Sequence, residues 1–270
     1  MKLLKRKIIF SLASEIDFFK LNEGFSYYSY SFLYGRLINF RHSSIRDAIL
    51  QLVKTGEVDK IVRNNFSFFR LTARGRERLL SFFPMSLGQK KVWDKIWRLV
   101  IFPTQPRFTQ PRGCPFVDNL RRLRRTVRQL GFKKLSRGVY LTPLPVSAKL
   151  RELLLEKDFS ANIAVIESRR LILGDDKQLA KQIWPLDDLL KKYQNLINRM
   201  RVLLRRLKKQ KRLTQEGKKQ FLLIFNFFFT LLEKDPGLPR KLLASDWPAD
   251  FAKELFFKLS RRFKNEQEIK

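Results

Sequence analysis

The sequence predicts an α+β chain of three domains: an N-terminal winged helix-turn-helix, a middle ferredoxin-like βαββαβ domain and a C-terminal all-α domain. Three observations carry this expectation. Residues 40–80 spell a capped amphipathic helix, a two-stranded ribbon with a polar tip and the start of another helix. Residues 91–173 run strand, helix, strand, strand, helix, strand, the order of a split βαβ unit. Beyond Gly174 the apolar periodicity is helical throughout. The expected divisions are 1–88, 91–173 and 174–270.

In the first division, Lys7 to Phe19 and Tyr27 to Phe40 are each apolar enough for a helix. Ser43 and Ser44 offer side-chain oxygens to the unpaired N–H groups of a helix start, and Ser44 with Asp47 makes a capping-box-like pair. Ile45, Ala48, Ile49, Leu52 and Val53 recur at helical spacing and should face inward. Arg46, Asp47, Leu50, Gln51 and Lys54 fall on the opposite face, and Gly56 stops the helix. Glu57 to Arg63 and Phe66 to Thr72 read as strands joined at Asn64-Asn65, since asparagine tolerates the positive φ of a two-residue hairpin. Thr72 caps a helix through Leu79 and Leu80.

In the second division, Trp97 to Phe102 reads as a buried strand, followed by a proline-rich loop from Pro103 to Pro115. Val117, Leu120, Leu123, Val127 and Leu130 form a helical stripe closed by Gly131, with Arg121, Arg122, Arg124, Arg125 and Arg128 between them. Phe132 to Leu135 and Val139 to Leu141 suggest a hairpin turning at Arg137-Gly138; Leu150 to Leu155 is helical and Ile163 to Ile166 a last strand. In the third division, Pro236, Gly237 and Pro239 break one helix before the next.

The formal net charge is +32 over 270 residues, which points to a polyanionic partner. It is densest in residues 91–145, with 13 basic and 2 acidic side chains. A run without acids, Arg199 to Arg212, reads either as a solvated helix face or as a further contact with phosphates. One cysteine, Cys114, excludes a disulfide framework and fits a reducing compartment; with a single histidine, His42, no Cys/His zinc set exists. The apolar run Ile8 to Ala13 is too short for a signal peptide, and Phe221 to Leu232 is about half a bilayer span. A cytoplasmic protein with no membrane association is expected.

Helix and ribbon together suggest a duplex-DNA reader. Arg46, Asp47 and Gln51 would meet base edges, with Ser43, Ser44 and Lys54 positioning the helix. Lys60, Arg63, Asn64 and Asn65 would touch phosphate or the minor groove, and Arg41 and Arg70 flank the same surface. His42 reads as a phosphate contact or a surface residue.

Longer stretches then carry a resemblance. WDKIWRLVIF (93–102) and LRRLRRTVRQLGFKKLSRGVYLTP (120–143) resemble the middle domain of the phenylacetate-degradation repressor (PaaX-like) family of transcriptional regulators. LAKQIWPLDDLLKKY (179–193) and DPGLPRKLLASDWP (235–248) resemble the family's C-terminal helical domain, and FFRLTARGRERL (68–79) has the form of its N-terminal piece. The resemblance implies a DNA-binding repressor, homodimeric, whose tail or domain junction senses a small-molecule effector. The aryl-CoA thioester sensed by phenylacetate regulators is not carried over. Trp184, Trp247 and the Phe-rich helix either line a pocket for such an effector or are core.

The family's middle domain is similar in turn to small CRISPR-associated nucleases of ferredoxin-like fold. Those hold a divalent metal with an acidic residue at the end of the first strand. Here that strand ends Phe102-Pro103-Thr104, with Asp94 before it and Asp118 after, so neither a metal site nor a cofactor is expected. Asp175-Asp176 and Asp187-Asp188 read as helix caps or first-turn acids. A sequence-specific regulator that is not an enzyme is the leading reading. A non-specific DNA- or RNA-binding protein and, more remotely, a metal-dependent nuclease are the alternatives.

Overall fold

The computed structural model describes residues 2–13, 27–83, 92–103, 115–155, 163–169, 174–209 and 214–265. In chain order the elements are α1 (Lys2–Ala13), β1 (Tyr28–Ser29), α2 (Tyr30–Arg36), α3 (His42–Lys54), β2 (Val58–Arg63), β3 (Phe66–Leu71), α4 (Ala73–Phe82), β4 (Trp97–Ile101), α5 (Pro115–Gln129), β5 (Lys133–Ser136), β6 (Val139–Thr142), α6 (Ser147–Leu155), β7 (Ala164–Ser168), α7 (Asp176–Ile183), α8 (Leu186–Lys209), α9 (Gln215–Lys234) and α10 (Ala249–Asn265), with a 3-10 turn at Arg240–Leu242. Among the described residues no helix is long and apolar enough to cross a membrane. The chain divides into two compact units: Met1–Gly88 with Leu189–Asp235 and Pro248–Lys270, and Gln89–Asp188 with Pro236–Trp247.

In the first unit a three-stranded antiparallel sheet of order β1-β3-β2 packs with α1 to α4. The expected helix from Tyr27 to Phe40 is shorter, because Tyr28 and Ser29 pair with Phe69 and Phe68 and only then does the Ser29 hydroxyl cap α2, accepting from Phe32 N. The helix expected over Lys7 to Phe19 starts earlier, at Lys2, and its residues 14–19 lie outside the described residues. Phenylalanines fill the centre. Phe10 on α1 is fully buried and meets the rings of Phe83, Phe225, Phe228, Phe229 and Phe256 at centroid distances of 5.3–6.2 Å. Thus α9, whose apolar run is a core helix, and α10 share their hydrophobic interior with α1. Several polar groups at this seam are paired. Lys7 Nζ donates to Asn226 Oδ1 at 2.6 Å, and burial pulls its pKa down. Arg36 donates to the Ser11 carbonyl and lies over the rings of Phe32, Phe221 and Phe225. At the end of α9, the Tyr193 hydroxyl donates to Asp235 at 2.6 Å; burial, reinforced by that carboxylate, pushes the phenol well up.

In the second unit the sheet order is β5-β6-β4-β7, every pair antiparallel. Each helical crossover therefore skips one strand, as expected of a ferredoxin-like βαββαβ arrangement. Gly138, at φ +80°, makes the β5–β6 turn, and Gly131, at φ +96°, ends the turn after α5. The proline-rich loop, Cys114 included, falls almost wholly outside the described residues. Trp97 Nε1 donates to Asp176 at 2.7 Å and its ring stacks on Trp184 at 6.4 Å; Trp184 and Trp247 are both buried. Asp175 caps α7 by accepting from Lys177 N, while Asp187 and Asp188 sit in the first turn of α8.

Candidate nucleic-acid interface

The surface begins with α3. Its inner side, Ile45, Ala48, Ile49 and Leu52, is buried as the spacing predicts, with Val53 half-buried. Its outer side exposes Ser43, Ser44, Arg46, Asp47, Leu50 and Lys54, with Gln51 half-buried. The expected cap is corrected here. The helix starts at His42, the cap position is Arg41, and no side chain caps it; Ser43 and Ser44 lie inside the first turn. Tertiary contacts override the local preference. The Tyr30 hydroxyl donates to the His42 carbonyl at 3.2 Å, and the His42 ring stacks on Tyr34 at 3.5 Å. His42 is exposed on that aromatic seat.

A short latch joins α3 to the ribbon. Gly56, at φ +72°, turns the chain after Thr55, and Glu57 N donates to Leu52 O. Thr72 Oγ1 donates to Gly56 O at 2.7 Å and accepts from Gly75 N at 3.0 Å, so one hydroxyl caps α4 and holds the α3–β2 corner. Gly75 packs directly on this corner: a Cβ there would stand 2.0 Å from the Glu57 carbonyl oxygen.

The ribbon β2–β3 pairs in register from Val58↔Leu71 to Arg63↔Phe66, and Asn64 and Asn65 take φ of +48° and +63°, as a tight primed turn requires. Lys60, Arg63, Asn64 and Asn65 are all exposed. Arg70 is different. Its guanidinium binds Asp59 at 2.8 Å and covers Tyr27 at 4.6 Å, so it is engaged within the sheet rather than offered to a ligand. Hydrogen bonds from Tyr27, at 2.5 Å, and from Arg70 hold the Asp59 carboxyl below the usual range. Glu57 likewise pairs with Arg78. Two of the nearby acids are thereby matched internally, leaving the outward cations Arg41, Arg46, Lys54, Lys60 and Arg63 beside Asp47.

Sequence reasoning put Leu50 on the outer face of α3 but missed two further apolar contributors on the ribbon. Leu50 (50% exposed) lies amid the outer face of α3, and Val62 (60%) and Phe66 (69%) flank the ribbon tip. Alternation alone marked Val62 and Phe66 as strand residues; that the ribbon outruns the core is a tertiary fact.

In the second unit Asp94 is committed to Arg98, which donates to it at 2.5 Å and also reaches Ser147 and Glu167. That hydrogen bond depresses the Asp94 pKa. Strand β4 runs into buried Phe102. Thr104 and the Asp118 side chain lie outside the described residues. Among the described residues no three His, Cys, Asp or Glu side chains converge as metal ligands.

Comparison with known proteins bears on most of the chain, with family models matching from residue 90 onward. The model described as PaaX protein central Cas2-like domain matches residues 90–180, and that described as PaaX-like protein C-terminal domain matches residues 184–268. The transcriptional repressor PaaX of Escherichia coli (strain K12) is 24% identical over 237 residues, 83% of this chain and 70% of that protein. Among solved structures, the uncharacterized protein Rv0674 from Mycobacterium tuberculosis superposes with a TM-score of 0.52 at 19% identity, over 90% of this chain and 92% of that one. The latter likeness is one of fold.

Proposed function

We propose, because this chain belongs to the PaaX-like family, that it is a sequence-specific DNA-binding transcriptional regulator that represses from a partly palindromic operator as a homodimer. Its N-terminal helices and ribbon act as a winged helix-turn-helix, with α3 in the major groove and the β2–β3 tip at the phosphates or the minor groove. The observation that carries this reading is the outer face of α3, which exposes a mixed set of donors and acceptors around one leucine instead of a uniform shell of charge. Arg46, Asp47 and Gln51 present hydrogen-bonding groups to base edges, and Leu50 suits a thymine methyl. Ser43, Ser44 and Lys54 set the helix against phosphates. Lys60, Arg63, Asn64 and Asn65 add contacts that carry affinity without sequence information.

Selection of bound fragments from random duplexes, followed by footprinting, tests this. A consensus with inverted halves, preferred over random DNA by about 10³-fold or more at physiological salt, is the expected result. Equal binding to random duplexes and to RNA would replace it with a non-specific binder, a reading the basic outward face of α8 (Arg199, Arg201, Arg205, Arg206, Lys208) favours. Two substitutions separate the roles. Gln51→Ala is expected to relax preference at one base pair by about 1–3 kcal/mol, measured by competition between operator variants. Arg63→Ala should weaken all duplexes alike and flatten the salt slope by about 1. A changed base preference in Arg63→Ala would contradict the ribbon's role.

A further inference from the structure

Helix α5 and strand β5 carry a concentrated row of positive charge. Arg121, Arg122, Arg125 and Arg128 are exposed along one side of α5, whose opposite side buries Leu120, Leu123 and Val127. Arginines three and four apart repel one another and weaken an isolated helix. Aspartate occurs once in the α5 sequence, at Asp118, against five arginines. The stripe then continues onto the sheet. Arg128 donates to the Tyr140 hydroxyl at 3.0 Å and rests over its ring at 5.6 Å. Tyr140 is the cross-strand partner of Lys134, so Arg128 and Lys134 flank the same tyrosine on one face of the sheet. β5 is an edge strand, all four of its residues are exposed, and Arg137 follows at the turn. Arg124, by contrast, is half-buried over Phe102 and braces the helix.

We propose that this α5–β5 stripe is a second duplex-DNA contact, one that grips the phosphate backbone without reading bases. An exposed cation row on a helix, carried onto the strand that ends the sheet among the described residues, matches a regularly spaced polyanion. Counterion release then offsets the repulsion stored in the free protein. Among the described residues of α5, Leu120, Leu123 and Val127 are buried and no large apolar side chain is exposed, while Leu135 on β5 is 46% exposed. The inference rests on the reading of the chain as a duplex-DNA binder and is independent of which bases α3 meets.

The test uses the full chain with Arg122, Arg125 and Lys134 changed together to Gln, leaving Arg128 on its tyrosine. Affinity for a random-sequence duplex is measured across salt concentrations. Three lost phosphate contacts should flatten the slope of log K against log salt by about 2.7 and cost roughly tenfold or more in affinity at low salt. A control with equal charge loss elsewhere, Lys177, Lys234 and Lys258 to Gln, all exposed, should move the slope far less. Arg122→Lys with Arg125→Lys should retain it, since charge is what phosphate requires. The melting temperature of the triple variant should be unchanged or raised, because repulsion is relieved. A slope equal to that of the wild type, or a fall no larger than the control's, overturns the proposal, as does a loss confined to RNA. The ratio of operator to random affinity should be untouched by the triple variant. Absence of any operator preference would therefore count against the regulator reading, whereas an unmoved slope counts against the stripe; a wild-type chain that bound no duplex at all would remove both.

Discussion

Replacing Phe10 by alanine is expected to destabilise the first unit by about 3–5 kcal/mol, a large share of the roughly 5–15 kcal/mol that holds a typical domain together. The phenyl ring is wholly buried, and its five aromatic neighbours come from the end of α4 (Phe83), from α9 (Phe225, Phe228, Phe229) and from α10 (Phe256). Rings anchored on three separate helices cannot all move inward to fill the space, so most of the cavity persists. Edge and tilted ring pairs add to the loss beyond the buried area alone. Urea denaturation followed by circular dichroism measures it, and a change below about 1 kcal/mol would mean the cluster is not packed as described. A functional consequence follows from the same contacts. Helix α1 also packs on α3, so DNA binding should disappear over the same urea range as helicity. A fragment ending at residue 88 keeps Phe83 but loses the four other rings, and is expected to unfold without a cooperative transition.

That coupling was the least legible part of the chain. The Phe-rich segment 221–232 reads correctly as a buried helix, since it is apolar yet too short to span a bilayer, but nothing local says that α1 is its partner. Periodicity reports that a face is buried and is silent on what buries it. Local features fared better. Asn64-Asn65, Gly56, Gly131 and Gly138 each announce a positive φ, and each takes one. The inward face of α3 follows from spacing alone. Errors cluster where a distant group outbids a local preference. Ser43 and Ser44 are good cap residues, but Tyr30 and Tyr34 secure the chain at His42 and begin the helix earlier. Tyr28 and Ser29 lie in an apolar stretch that looks helical until β3 is there to pair with them. Arg70 counts as a surface cation in the sequence and as half of an ion pair once Asp59 is found across the ribbon.

The corner beneath the ribbon gives the other large expected effect. Gly75→Ala should cost about 3 kcal/mol or more, because the new methyl would lie 2.0 Å from the Glu57 carbonyl oxygen and 2.6 Å from Leu71 Cδ1. Leu71 can adjust its rotamer; a backbone carbonyl held by Thr72 N cannot yield without shifting the strand that follows it. Relief therefore displaces β2 from the start of α4, the joint through which Thr72 ties the ribbon to the end of α3. Stability and recognition should fall together for that reason. At temperatures where the variant is still folded, its affinity for random duplexes is expected to drop toward that of Arg63→Ala. Adding Arg63→Ala to Gly75→Ala should then cost less than it does in the wild-type background. A double-mutant cycle on DNA affinity, paired with thermal denaturation of each protein, measures both effects. Strict additivity in binding, with stability reduced as expected, would mean that the ribbon keeps its place when the corner is forced apart, and that Arg63 reaches DNA independently of the Thr72 latch.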